Sequence, residues 1–316
     1  MKAMIIKQYG SPDTFEWGDT NIPSIKENEM LVKVHGSSVN PVDTAIRKGM
    51  LKSFVRLNLP AVLGVDVSGE VVSTGSAINK FKIGDRVYAF MGIFKNGGYG
   101  EFVAVPESYA AKIPNNISTV DAGVIPGVGM TAYEAFTVQA SLKKGMKVLI
   151  NGAAGGVGTY AVQIAKALEA DVTAVCSTSK TQLVKGLGAN MTIDYTLTDL
   201  LSVPDKYDVI LNCVRETPVF KIRKLLKPGG KLITITGNPI QVPLIKFLNF
   251  FSSMKIIVLM VKTDGKLLEG LSQLIEQNKV KIIIEKTYPI KNLAEAHRHV
   301  ETGRTMGKVC IDVIGE

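Results

Sequence analysis

Apolar and polar residues follow two rhythms along this chain. In the first third the rhythm is short and strand-like. Met30–His35 alternates with a period of two, Gly69–Thr74 is β-branched, and Arg86–Phe90 and Glu101–Val105 add further short runs. Gly84-Asp85 and Gly97-Gly98 punctuate them as turns. Short strands at this spacing predict an antiparallel, barrel-like domain. The period then changes. Lys147–Asn151 reads as a strand, and Val157–Leu168 follows as an amphipathic helix. Asp171–Cys176, Met191–Tyr195, Tyr207–Cys213, Lys231–Thr236 and Lys255–Val261 are strands. Helices are predicted over Thr181–Leu187, Val219–Leu226 and Lys266–Asn278. Strand–helix alternation of this kind implies right-handed crossovers and a parallel, doubly wound sheet. The tail returns to the opening style, with strands at Ile282–Tyr288 and Lys308–Val313 around a helix at Asn292–Glu301. The fold class is therefore α/β. A β-rich domain over 1–121 and 282–316 carries an inserted nucleotide-binding domain over 122–281, with a cleft expected between them.

Where the second rhythm begins, the chain reads Asn151-Gly152-Ala153-Ala154-Gly155-Gly156-Val157-Gly158. A glycine-rich turn between a strand and a helix is the context of a dinucleotide site, because glycines let the backbone approach a pyrophosphate lying on the helix N-terminus. Ala153 stands where the usual pattern has its first glycine. Gly152, Ala154, Gly155, Gly156 and Val157 are the candidate contacts. A binder of NAD places an acid at the end of the second strand. Here that end reads Cys176-Ser177-Thr178-Ser179-Lys180, with three hydroxyls, a cation and no acid. Such a set suits a ribose phosphate, where charge-assisted hydrogen bonds are strong and a carboxylate would repel. NADPH is the predicted cofactor, with Ser177, Thr178 and Lys180 as candidates.

Composition narrows the function further. The chain has 316 residues, 46% hydrophobic and 21% charged, enough for two ordinary globular domains. The opening MKAMIIKQYG has no signal-peptide pattern, and the most apolar stretch, Met254–Val261, is interrupted by Lys255. A cytoplasmic protein with no membrane partner is expected. Cys176, Cys213 and Cys310 lie far apart in apolar runs, which implies no disulfide framework. The net charge of +9 is spread along the chain without a nucleic-acid motif, so no nucleic-acid partner is expected.

Several segments together carry a family resemblance: Asn40-Pro41-Val42-Asp43, Gly64–Val71, Lys82–Val87, Gly97–Phe102, Gly129-Met130-Thr131-Ala132-Tyr133, the glycine turn and Pro228-Gly229-Gly230. In this order they resemble the quinone oxidoreductase and enone (alkenal) reductase branch of the medium-chain dehydrogenase/reductases, over essentially the whole length. The resemblance implies a GroES-like catalytic domain and an inserted Rossmann domain. It places Ser177, Lys180 and Tyr195 around the 2′-phosphate and Asn40 and Thr131 toward the nicotinamide. Val214, Thr236 and Gly237 would lie along the cofactor, and a homodimer would form through the last Rossmann strand. Two departures are Thr44, where relatives often carry tyrosine, and Arg215-Glu216 in place of Gly-Gly.

Zinc-dependent relatives need a cysteine, a Gly-His-Glu and a third ligand. The corresponding stretches here read Ser38–Asn40, Gly64-Val65-Asp66 and Pro126-Gly127. No metal is expected from this set, and His297 and His299, two apart on a helix, do not share a face. The resemblance therefore implies NADPH-dependent hydride transfer, without zinc, to a small electrophilic carbonyl substrate such as a quinone or an enone. Asn40 and Asp43 are candidate catalytic residues that would order the proton-donating water, and Asp43 reads equally as a structural acceptor for backbone amides. Phe54, Phe94 and Phe247–Phe251 are candidate substrate contacts. The alternatives are an enoyl-thioester reductase and a low-turnover NADPH-binding sensor.

Overall fold

The computed structural model describes residues 1–236 and 242–315. The chain divides into two compact units: Met1–Gly127 with Lys262–Glu276 and Ile282–Glu316, and Val128–Val261 with Gln277–Lys281.

In the first unit one long strand, Glu29–Ser38, organises a seven-stranded sheet. One of its edges pairs antiparallel with Asp66–Thr74, which pairs in turn with Arg86–Phe90 and then Ala110–Lys112. Its other edge is shared. Phe102–Pro106 pairs with positions 29–33, and Lys308–Asp312 pairs with positions 36–38. The tail thus enters the sheet that the first third began. The last pair, Ile284–Pro289 with Lys308–Asp312, is parallel, which the wholly antiparallel expectation missed. A parallel pair needs a crossover, supplied by the helix Leu293–Glu301. A small second sheet joins Phe15–Asp19, Lys2–Ile6 and Ala61–Val62.

The helix Gly265–Glu276, expected in the nucleotide domain, belongs to this first unit. The Tyr88 hydroxyl lies 2.7 Å from Ser272 Oγ, and Asn116 Nδ2 donates to the Ile275 carbonyl. A Cβ on Gly265 would lie 2.4 Å from the Ala110 carbonyl oxygen, so the helix starts directly against a sheet strand.

The second unit is a six-stranded, wholly parallel sheet. Its order is Met191–Asp194, Asp171–Cys176, Lys147–Asn151, Tyr207–Asn212, Leu226–Thr234, Lys255–Val258. This is the doubly wound order 3-2-1-4-5-6, which reverses direction between the first and fourth strands. Leu149, Ile210, Leu232 and Ile256 form one core with Ile222, Leu225 and Ile245. The uninterrupted apolar runs follow from burial on both faces of a parallel sheet.

Boundaries shifted where the chain bends. Pro228-Gly229-Gly230 lies in a bulge inside the strand Leu226–Thr234, between the pairs Tyr207–Leu226 and Val209–Lys231. The helix before it is one turn, Val219–Ile222, tightening into a 3₁₀ turn at Arg223–Leu225. The helices Pro126–Glu134 and Val242–Phe250 have no counterpart in the sequence expectation.

Candidate active site

Within the first unit the three stretches that hold zinc ligands in related enzymes converge on Asp66. Ser38 Oγ donates to Asp66 Oδ2 at 2.7 Å, Asn40 Nδ2 donates to the same oxygen at 2.8 Å, and the Gly127 amide donates to Oδ1 at 2.7 Å. The carboxylate is fully buried, so it needs these donors to offset lost hydration. Their arrangement is local in origin. Asn40 closes the strand Glu29–Ser38 and, with Pro41 at the first helical position, opens the helix Pro41–Arg47. Asp43, three residues on, accepts from the Asn40 amide at 2.9 Å, the acidic half of a capping box. Gly64, at φ +99°, turns the chain so that the Val65 amide reaches Asp43 Oδ1 at 3.1 Å.

The unexpected member is Lys308. Its Nζ donates to Asn40 Oδ1 at 2.7 Å and to the Val39 carbonyl at 3.2 Å, and lies 3.8 Å from Asp66 Oδ2. Only 3% of the residue is exposed. Burial pushes its pKa down, and Asp66 and Asp43 oppose that shift. The Asp43 carboxyl is pushed up to about 7, first by burial and then by Asp66. One sequence signal marked this lysine: it opens the buried run Val309-Cys310-Ile311 directly after Gly307, where a solvated lysine would not fit.

Both candidate catalytic residues lie inside this cluster. Every polar atom of the Asn40 side chain is engaged inside the cluster, Oδ1 by Lys308 and Nδ2 by Asp66 and Asp43. Asp43 is fully buried, with both oxygens accepting N–H groups. Its partners are the Asn40 amide and side chain and the Val65 amide, which is the bonding of the structural reading of this acid. Thr44 is spent locally, its hydroxyl donating to the Pro41 carbonyl at 2.8 Å. His297 is structural. Its Nε2 lies 3.3 Å from the Tyr99 hydroxyl, and burial, then the charge of Arg47, pushes its pKa down to about 3.

In the second unit the glycine turn joins the central strand Lys147–Asn151 to the helix Gly156–Ala167. Gly152 sits at φ +83°, where a side chain is strained. A Cβ on Gly158 would lie 2.2 Å from the Gly152 carbonyl oxygen, so this glycine lets helix and turn touch. At Gly155 a Cβ would meet only that oxygen, at 3.5 Å, leaving open space above the turn. Gly155 caps the helix without a side-chain bond. The first amides of a helix lack intrahelical acceptors, so this end fits a pyrophosphate. Gly152, Gly155, Gly156 and Val157 are half-buried around the space, whereas Ala154 is buried.

The carboxyl ends of the strands are tied together beside this turn. Asn151 Nδ2 donates to Asn212 Oδ1 and Thr217 Oγ1, both at 2.8 Å, and Asn212 Nδ2 donates to the Val214 carbonyl at 3.1 Å. Val214 follows just beyond the strand end Asn212 and Thr236 just beyond Thr234, while Gly237 lies outside the described residues. Thr131 is buried in the helix Pro126–Glu134. Ser177 and Tyr195 directly follow the paired strand ends Cys176 and Asp194, the Tyr195 amide donating to the Cys176 carbonyl at 3.2 Å, and Lys180 closes the turn after Ser177. Tyr195 is 61% exposed. Thr178 differs from expectation, because its hydroxyl proton goes to Asp194 Oδ2 at 2.5 Å and is not available to a phosphate.

Among the described residues no helix is long and apolar enough to cross a membrane, and no group of three His, Cys, Asp or Glu is placed to hold a metal. Residues 26–115 match the alcohol dehydrogenase GroES-like domain, and residues 187–311 match the zinc-binding dehydrogenase family. The chain is 33% identical to a chloroplast envelope quinone oxidoreductase homolog of Arabidopsis thaliana, over 99% of this chain and 98% of that protein. It is 35% identical to an NADPH-dependent alkenal/one oxidoreductase, chloroplastic, of the same plant, over 98% and 79% respectively. The solved structure of the quinone oxidoreductase from Coxiella burnetii superposes with a TM-score of 0.89 at 31% identity, covering 99% of each chain.

Proposed function

The chain belongs to the quinone oxidoreductase branch of the medium-chain dehydrogenase/reductases, and from that membership we propose an NADPH-dependent reductase of quinones or of the activated double bonds of enones and alkenals. The observation that carries this reading is the pairing of an open glycine turn with an acid-free, hydroxyl- and lysine-lined second-strand end.

When bound, NADPH supplies a hydride to an electron-poor carbon, whose conjugated carbonyl takes up the charge. The inserted domain, taken as 122–281, holds it. Gly152, Gly155, Gly156 and Val157 offer backbone and space to the pyrophosphate. Ser177 and Lys180, with Tyr195, hold the 2′-phosphate, and Val214 and Thr236 lie along the rest, with Thr131 toward the nicotinamide. In the catalytic unit, Asn40 is fixed by Lys308, Asp43 and Asp66 and serves as a rigid polar wall, with Asp43 acting through it. The final proton comes from water in this reading, since Asn40 and Asp43 are buried and engaged within the cluster. Phe54 and Phe94, 74% and 75% exposed, are substrate contacts in this reading, as are Phe247 and Phe251.

The reaction is proposed to run without zinc. The Lys308 ammonium 3.8 Å from Asp66 places a positive charge where a dication would need its ligands. A homodimer is proposed through the edge strand Lys255–Val258, whose half-buried Ile257 and Val258 leave a pairing edge. Light scattering giving twice 34.1 kDa checks it. The free thiols fit a reducing compartment such as the cytoplasm, which cell fractionation tests.

The deciding assay follows NADPH and NADH consumption against a panel of quinones, enones and alkenals, with and without EDTA. Turnover of one class with NADPH, unchanged by chelator, is the expected result. NADPH binding without turnover on any acceptor, or loss of activity with EDTA, refutes the proposal.

A further inference from the structure

An acid, Asp194, stands beside the proposed phosphate-binding end of the nucleotide unit, and both its oxygens are held by the loops around it. Asp194 ends the third strand, paired across the sheet with Cys176 at the end of the second. Its Oδ2 accepts from Thr178 Oγ1 at 2.5 Å. Its Oδ1 accepts from Thr196 Oγ1 at 2.6 Å and from the Thr196 amide at 2.9 Å, and the two threonine hydroxyls lie 3.1 Å apart. Both oxygens are thereby committed to donors on the protein. Hydrogen bonds from Thr178, then from Thr196, hold the Asp194 carboxyl below its ordinary range, so it stays ionised and keeps these bonds. Thr178 opens the short 3₁₀ turn Thr178–Lys180 that presents Lys180, whose amide donates to the Ser177 carbonyl at 2.9 Å. In this half-exposed loop the Ser177 and Ser179 hydroxyls lie 3.4 Å apart.

We propose that Asp194 is a positioning residue for NADPH recognition: by holding Thr178 it fixes the Ser177–Lys180 turn in the shape that receives the 2′-phosphate. The inference rests on the NADPH reading above. An acid at the end of the second strand bonds the ribose hydroxyls and selects NAD. Displaced to the third strand and saturated by two threonines, the same chemical group organises the loop that selects the phosphate. Ordering the turn before binding spares the cost of ordering it on binding.

Calorimetric titration of the full chain with adenosine 2′,5′-bisphosphate and with 5′-AMP tests this, since the two probes differ only by the 2′-phosphate. Wild type is expected to bind the bisphosphate more tightly, by at least about tenfold. Asp194→Ala is expected to weaken the bisphosphate about tenfold and 5′-AMP less than about twofold, and Thr178→Val to do the same. The double variant is expected to be no weaker than either single variant, as for two residues acting as one unit. Asp194→Asn, which keeps an acceptor for Thr178, is expected to retain most of the discrimination. Tighter bisphosphate binding by both Asp194 variants would mean that charge repulsion dominates and would overturn the proposal. Equal weakening of both probes would make Asp194 a general support and would also overturn it. A wild type that does not distinguish the probes would refute the NADPH reading itself, and Asp194 with it.

Discussion

Replacing Lys308 by methionine tests the polar cluster of the catalytic unit. The substitution keeps the aliphatic stem and removes the cation that touches Asn40 Oδ1 and approaches Asp66. Lys308 is 3% exposed and Asp66 and Asp43 are fully buried, so water cannot replace the lost charge. Removing one partner from a buried ionic group costs roughly 3–5 kcal/mol, because the remaining charge is left uncompensated. The freed acceptors, Asn40 Oδ1 and the Val39 carbonyl, contribute within that sum. At about 2–4 °C per kcal/mol for a unit of this size, the melting temperature is expected to fall by roughly 6–20 °C at pH 8.5. The loss depends on pH with a definite sign. Asp43 has its carboxyl raised from 3.8 to about 7, so its favourable linkage is complete below 3.8 and disappears as pH rises through 7. Lys308 is among the groups that lower that value, so without it Asp43 holds its proton to higher pH. The variant is therefore expected to lose less at pH 5.5, where a protonated Asp43 leaves one buried charge fewer, than at pH 8.5. Differential scanning fluorimetry at the two pH values reads both numbers. A shift under about 2 °C at pH 8.5, or a larger loss at pH 5.5, refutes the reasoning.

In the glycine turn, Gly158→Ala is expected to lower both stability and NADPH affinity, its Cβ colliding with the Gly152 carbonyl at 2.2 Å. Gly155→Ala should leave the melting temperature of the free protein within about 2 °C yet weaken NADPH at least about tenfold, because its methyl fills the open space; fluorescence titration and calorimetry separate the two. Glu301→Gln breaks the 2.5 Å pair with Arg47, whose side chain is fully buried, and is expected to cost about 2–3 kcal/mol in urea unfolding at pH 7. Burial raises the Glu301 pKa, but hydrogen bonds from Arg47 and Lys48 outweigh it, so the carboxyl lies below 4.5. Its contribution is present above 4.5 and lost as pH falls through the lowered value, so the two proteins should converge in stability once the pH is below it. Tyr88→Phe removes the hydroxyl 2.7 Å from Ser272 and should cost about 1 kcal/mol by the same measurement.

The sequence by itself determined the elements whose period is set by burial on a regular lattice. Arg86–Phe90, Lys147–Asn151 and Asp171–Cys176 stand where their apolar patterns put them, because a buried strand leaves no choice of face. The nucleotide turn was equally legible, since Gly152 at φ +83° and Gly158 in contact with the turn are local requirements that only glycine meets. Tertiary structure decided the rest. Three stretches near positions 38, 66 and 127, together with Lys308, are far apart in sequence, and only the sheet register brings them within hydrogen-bonding distance. Along the chain Asn40 and Asp43 are only polar residues three apart, and their burial among Asp66 and Lys308 follows from the fold. The helix Gly265–Glu276 has a nucleotide-domain rhythm but joins the first unit, because its glycine start fits against Ala110. Local propensity is written in neighbours along the chain, whereas the partner of a buried charge is fixed by loops that close over hundreds of residues.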